Sequence, residues 1–187
     1  GRCQEFNPTR TAYFGDLHVH TSLSLDANLQ GNRVSVSDAY RFALGEEIEV
    51  QPFDAQGNAL RTLRLPRPLD FVALTDHAEF LGVVQGCTTP GSAEFESPAC
   101  QSYRGDPDAA FFGLNLRLAF DQGTASNNSP CSEEEGGCVA STSQAWRQVR
   151  DAAEAFYDRS DACSFTTFVA YEWSGSPGGR NLHRNVI

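Results

Sequence analysis

Two of the chain's four histidines stand one residue apart in Phe14-Gly15-Asp16-Leu17-His18-Val19-His20-Thr21, straight after a strand-like segment. Alternate side chains on a strand share a face. His18 and His20 are therefore expected on one side, with Leu17 and Val19 on the other. Their Cα atoms then lie about 6.5–7 Å apart at about 3.3 Å per residue, close enough for both imidazoles to reach one metal at about 2.0–2.1 Å. Such a pair is as readily two plain surface residues, and it gains meaning only from its company. Asp26 stands six residues beyond His20, and three further segments read Thr75-Asp76-His77, Tyr171-Glu172-Trp173 and Asn181-Leu182-His183-Arg184. Every histidine thus falls at the edge of an expected strand, with a carboxylate nearby or on an adjacent strand. Imidazole and carboxylate together suit zinc, manganese or iron, whereas carboxylates alone suit magnesium or calcium. Each residue also has a plainer reading: Asp76 as a helix cap, Glu172 as the partner of an arginine, His183 as an exposed side chain.

The elements that must position these residues alternate along the chain. Thr11–His18 reads as a first strand. Ser35–Leu44 reads as a helix, capped by Ser35 or Ser37, with Ala39, Tyr40, Ala43 and Leu44 on one stripe. Ile48–Phe53 and Ala59–Leu65 predict a hairpin across Asp54-Ala55-Gln56-Gly57-Asn58. Leu69–Thr75 is a short continuous apolar run, as in a strand buried on both faces. Residues 82–105, rich in Gly, Pro and Ser, predict a long loop. Asp106-Pro107 opens a helix to about Phe120, and a second polar loop holds Asn127-Asn128 and Glu133-Glu134-Glu135, a run expected to be solvated. Thr142–Asp158 has Ala145, Val149, Ala152, Ala153, Phe156 and Tyr157 at helical spacing. Phe165–Trp173 and Leu182–Ile187 read as strands. This alternation predicts an α/β layout with parallel strands, and such folds build their sites at the C-terminal ends of strands.

Composition narrows the chemistry. With 187 residues the chain is long enough for one sizeable core, and a net charge of −10 without a basic run argues against nucleic acid as a partner. Lysine is absent, which removes Schiff-base chemistry and the P-loop lysine. No apolar stretch approaches the roughly 20 residues of a transmembrane helix. Six cysteines suggest loop staples Cys87–Cys100 and Cys131–Cys138, with Cys3–Cys163 left over. Sequence alone leaves the pairing open, as it leaves open reduced, buried thiols in a cytosolic enzyme. Disulfides predict a periplasmic or secreted protein. The chain begins at Gly1 and stops at Val186-Ile187 inside a strand-like segment. Residues 1–187 are therefore expected to be the N-terminal portion of a single domain, truncated or cleaved after Ile187.

Phe14-Gly15-Asp16-Leu17-His18-Val19-His20-Thr21 with Ser22-Leu23-Ser24-Leu25-Asp26-Ala27 resembles the first motif of the PHP (polymerase and histidinol phosphatase) superfamily, and Ala73-Leu74-Thr75-Asp76-His77 resembles its second. More narrowly, Tyr13-Phe14-Gly15-Asp16-Leu17-His18, Pro68 to Glu79, Tyr171-Glu172-Trp173 and Asn181 to Ile187 resemble the DUF3604 family, a bacterial PHP-like group. The resemblance implies an α/β fold forming the first half of a distorted (β/α)7 PHP-like barrel, with parallel strands and long loop insertions. It implies a site for two or three divalent metal ions (Zn, Mn or Fe), with His18, His20, Asp26, His77, Glu172 and His183 as ligands. Within it His18 and His20 share one metal, Glu172 bridges, and His77 and His183 hold neighbouring metals. Asp76 is expected to orient an imidazole from behind. The superfamily's later ligands, a further histidine and an Asp-x-His pair, have no counterpart here, so a downstream part of the same protein is the expected partner.

A metal lowers the pKa of bound water to about 7, so the expected nucleophile is a hydroxide bridging two metals. The expected substrate is a small-molecule anionic ester, foremost a phosphate ester, with sulfate or other esters as the alternative. Arg184 and Arg180 are candidate anion clamps, since guanidinium meets phosphate or sulfate bidentately; Arg180, in a Gly-rich loop, reads more readily as structural. Gly175-Ser176-Pro177-Gly178-Gly179 does not match the G-x-S-x-G of serine hydrolases. From a different class, an incomplete ligand set is also what a non-catalytic metal-binding fragment would show.

Overall fold

The apolar run around Val72 forms the central strand of a three-stranded parallel sheet. In the computed structural model, β4 (Phe71–Leu74) lies between β1 (Gly15–Val19) and β5 (Thr166–Phe168). The structure describes residues 3, 7–120, 131, 138–176 and 180–187; the acidic run 133–135, Asn127-Asn128 and Gly178-Gly179 lie outside the described residues. Val72, Ala73 and Leu74 are buried, as a strand covered on both faces requires.

Helices α2 (Val36–Ala43) and α6 (Val139–Phe156) cover the sheet. Tyr40 and Ala43 of α2 meet Ala145, Val149 and Ala153 of α6, together with Val72, Leu74 and Phe165, in the main core. Ser35 caps α2 by accepting from the Asp38 N–H, as expected. β2 (Ile48–Phe53) and β3 (Ala59–Leu63) form the expected antiparallel hairpin.

Residues 82–105, expected as a loop, are largely helical. After a 3-10 turn at Ala78–Phe80 come α3 (Leu81–Thr88) and α4 (Pro98–Gly105), and α5 (Pro107–Phe120) follows at once. The glycines that suggest a loop serve close packing. A Cβ at Gly82 would overlap the Thr142 hydroxyl of α6, and one at Gly86 would meet the Glu94 carboxylate at 3.0 Å. Val83, Val84 and Cys87 join Leu25, Cys100, Tyr103 and Leu114 in a second core. A further short helix, α1 (Leu25–Leu29), precedes α2 and was not expected.

The apolar segment 165–173, expected as one strand, is two. β5 ends at Phe168, and β6 (Tyr171–Gly175) pairs antiparallel with β7 (Leu182–Val186) in a separate two-stranded sheet. The layout is thus mixed α/β rather than uniformly parallel, and the described residues form no closed barrel. Disulfides join Cys3–Cys163, Cys87–Cys100 and Cys131–Cys138, the pairing suggested by loop stapling. Three disulfides fit an extracellular or periplasmic protein. Among the described residues no helix is long and apolar enough to cross a membrane.

Candidate metal centre

Strand β1 does not run straight through the histidines. Its pairing with β4 shifts between Asp16 and Val19, and a bulge of this kind re-aims side chains. The Asp16 carboxylate accepts the His18 N–H at 2.9 Å, replacing a partner that the ladder no longer offers. Both imidazoles then converge on one acceptor. His18 Nε2 and His20 Nε2 lie 3.2 and 2.7 Å from Glu172 Oε2.

Glu172 is the hub. It sits on β6 with 1 % exposure, and its backbone bridges His77. Its Oε1 is 2.6 Å from His183 Nδ1, and its Oε2 is 3.6 Å from His77 Nδ1. The β6–β7 register places Glu172 opposite Asn185 and Ser174 opposite His183, so all four face the cluster. Asn185 ties this hairpin to β1 by donating from Nδ2 to the Leu17 carbonyl at 2.8 Å.

Asp26 reaches back from α1. Its carboxylate contacts His20 Nδ1 at 3.0 Å and approaches His77 Nε2 at 3.8 Å. Ser24 supports both histidines: its hydroxyl lies 3.3 Å from His20 Nδ1 and accepts the His77 N–H at 3.1 Å. All six expected ligand residues therefore meet in one place. Their source differs from the expectation of parallel strand ends alone, because Glu172 and His183 come from the antiparallel hairpin.

The remaining expected residues stand elsewhere. Both oxygens of Asp76 accept from Thr21, Oδ1 from its N–H at 2.5 Å and Oδ2 from its hydroxyl at 2.8 Å. Asp76 thus acts on His20 through the neighbouring backbone and touches no imidazole directly. Arg184 pairs with Trp173 in the β6–β7 register, on the face opposite His183, so strand alternation turns it away from the cluster. Arg180 is exposed and is not brought to the cluster either.

Other contributors escape motif reading. The Ser174 hydroxyl stands 2.8 Å from His77 Nδ1 and 3.2 Å from His183 Nδ1, and Asn181 Oδ1 stands 2.8 Å from His183 Nε2. Glu79 accepts the Ser174 N–H at 2.9 Å, while its other oxygen is buried with no partner among the described residues. The only sequence signals were positional, Ser174 two residues after Glu172 and Asn181 two before His183.

The electrostatics follow from burial and proximity. Burial alone would lower the His20 pKa, but hydrogen bonds and the field from Asp26, then Glu172, raise it above its ordinary value. Burial opposes ionisation of Asp26, yet hydrogen bonds from His20 and Ser24 hold it well below the usual carboxylate range. Burial likewise works against ionised Glu172, and His77, His20 and His183 reverse the balance and lower it. His77 is lowered, chiefly by burial. Burial pushes Asp76 up to about 6 despite the donors of Thr21.

This arrangement fits a divalent cation. Three sets of donor atoms lie within 4.8 Å of one another: His18, His20 and Glu172; His20, Asp26 and His77; His77, Glu172 and His183. Two ligands each about 2.0–2.1 Å from a tetrahedral metal stand about 3.3 Å apart, and the contacts above bracket that value. Among the described residues no arginine pairs with the buried Glu172, so its charge is matched there only by imidazoles that a cation would bind in neutral form.

No curated protein and no solved structure matches the chain. One family model does, over residues 7–187, a span that includes all six clustered residues. The chain therefore belongs to the DUF3604 family, whose description reads "Protein of unknown function".

Proposed function

We propose that the chain forms part of a metal-dependent hydrolase of small anionic esters, most directly phosphate esters, with two or three Zn, Mn or Fe ions as its cofactor. The observation that carries this reading is the buried Glu172 carboxylate, with ring nitrogens of His18, His20 and His183 at 2.6–3.2 Å. A mixed imidazole and carboxylate set of this kind suits transition metals. His18 and His20 would hold one ion, Asp26 and His77 a neighbouring one, and His183 a third position, with Glu172 shared. Bound there, the ions would supply an acidified water and positive charge against the ester's non-bridging oxygens.

The chain's own residues do the rest. Ser24 meets the His20 ring directly, as outer partners that orient a ligand do, and Asp76 holds the backbone beside His20 through Thr21. Ser174 and Asn181 occupy ring nitrogens of His77 and His183 and so set their tautomers. His18 and His183 stay partly exposed, with side-chain exposures of 57 % and 37 %, which leaves a solvent path for substrate and product. In this reading the parallel sheet β1-β4-β5, in sequential order, is a segment of the distorted (β/α)7 barrel of the PHP superfamily. A further polypeptide then completes the ligand set at its open edges.

The test is metal analysis together with hydrolysis of chromogenic phosphate monoesters, phosphate diesters and sulfate esters. The reading expects a bound transition metal and turnover of a phosphate ester that is lost in His20→Ala with the fold intact by circular dichroism. Turnover of sulfate esters alone would keep the site and change the substrate. Metal binding without turnover of any ester, also with downstream polypeptide present, would leave a non-catalytic metal-binding protein.

A further inference from the structure

A cleft of about 220 Å³ opens on the cluster between α1, α5 and the β6–β7 hairpin, with His77 and His183 in its lining. The rest of its lining is chemically unusual beside a cation site. Phe80 and Phe111 bring two phenyl rings, and Gln30, Asn115 and Asn181 bring three carboxamides. No arginine is among the described lining residues, and the chain contains no lysine.

The hydrogen bonds already made fix what this lining offers a ligand. Asn115 donates from Nδ2 to the Phe111 carbonyl at 2.8 Å, one turn earlier on the same face of α5. Its Oδ1 therefore remains as an acceptor. Asn181 uses Oδ1 toward His183 Nε2, so its amide N–H groups remain as donors. Phe111 keeps 39 % of its surface exposed, a large apolar face beside a polar cluster. Among the described residues that line the cleft no side chain is cationic, so a second anionic group here would gain no charge-assisted hydrogen bond from the protein. A flat neutral ring would instead cover phenyl faces, and aromatic contacts add to simple area burial.

We infer that this cleft binds the organic moiety of the substrate, and that this moiety is an uncharged aromatic group bearing hydrogen-bonding substituents. The inference rests on the ester-hydrolase reading for the substrate's other half, the anionic ester held by the cluster. Phe111 is then a specificity residue, and polyanionic esters such as bisphosphates are poor substrates.

Two measurements on the full chain separate the claims. The first follows 1-naphthol binding to metal-free protein by fluorescence anisotropy, in wild type, Phe111→Ala and Phe111→Leu. The second compares kcat/KM of the metal-loaded protein for 1-naphthyl phosphate, butyl phosphate and butanediol bisphosphate. The expected result is naphthol binding weakened about tenfold in Phe111→Ala and less in Phe111→Leu, as loss of a buried phenyl contact implies. Turnover should favour the naphthyl ester about tenfold, with that preference lost in Phe111→Ala. No naphthol binding, binding equal in Phe111→Ala, or a preference for the bisphosphate would overturn the assignment. Naphthol binding lost in Phe111→Ala without turnover of any ester would overturn the hydrolase reading and leave the cleft's aromatic specificity standing.

Discussion

Asp76 and Thr21 form a closed, buried pair at the ends of two neighbouring strands. The N–H and the hydroxyl of Thr21 both donate to the Asp76 carboxylate, and the residues are 0 % and 2 % exposed. His20 and His77 are the adjacent residues, and their rings lie 4.8 Å apart, edge to face. The Asp76 carbonyl also accepts the Glu172 N–H at 3.0 Å. One residue thereby positions three of the six clustered side chains.

Replacing Asp76 tests that role. Asp76→Ala leaves two buried Thr21 donors unpaired and should destabilise the metal-free protein by about 2–4 kcal/mol. Zinc affinity should fall about tenfold, less than the loss of a partner bonded directly to a ligand can cost, because the backbone that carries His20 and His77 loses its tie. Asp76→Asn keeps an acceptor for the Thr21 N–H and should recover much of the stability. Urea denaturation and zinc competition report the two effects separately. Unchanged zinc affinity in Asp76→Ala would remove the positioning role.

Metal binding should stabilise the fold. At a zinc concentration 100 times the Kd, one site contributes about 2.7 kcal/mol, so chelation should lower the thermal midpoint and zinc should restore it. Glu172 belongs to two of the three donor sets, and Glu172→Gln should abolish most of that zinc-dependent rise. A midpoint indifferent to zinc in the wild type would contradict the cluster's assignment as a metal centre.

Tyr40 carries a cost in the main core. It is fully buried, stacked on Phe156 at 5.3 Å, and its hydroxyl has no partner among the described residues. Tyr40→Phe keeps the ring and removes the unpaired group. It should stabilise the protein by about 1 kcal/mol in urea denaturation; a loss of that size would reveal a hydroxyl partner.

The N-terminus of α2 should show in the acid limb. The Ser35 hydroxyl donates to Asp38 at 2.6 Å and Arg41 lies at 2.7 Å. The Ser35 hydrogen bond first, against a small burial penalty, and then Arg41 hold the Asp38 pKa below its ordinary 3.8. A depressed carboxylate stabilises fully above the unfolded value and loses that contribution as pH falls through the folded one. Melts below about pH 4 should therefore show a slope that Asp38→Asn reduces. The pair is half-exposed, so the difference should stay under about 1 kcal/mol.

Much of the cluster was legible because metal ligation needs particular residue types. His18, His20, His77 and His183 are all the histidines the chain has, and Asp26 and Glu172 stood close to them or on a neighbouring strand. The amphipathic helices α2 and α6, the hairpin β2–β3 and the buried strand β4 were legible because burying one face imposes a period. The segment 82–105 was not, since its glycines mimic loop composition. Only the approach of Thr142 and Glu94 shows that they permit helix packing. Residues 165–173 read as one strand because an apolar run carries no mark of where it changes sheet.

The sequence by itself determined which side chains could bind a cation and which helices would cover the sheet, because residue chemistry and hydrophobic period are local properties. The tertiary structure alone decided that Glu172 and His183 arrive on an antiparallel hairpin and that Asp76 grips Thr21. It alone decided that Arg184 turns away while Phe111 and Asn115 line the cleft. Those outcomes depend on strand register and on contacts between residues more than fifty positions apart, as with Thr21 and Asp76, and no local pattern encodes them.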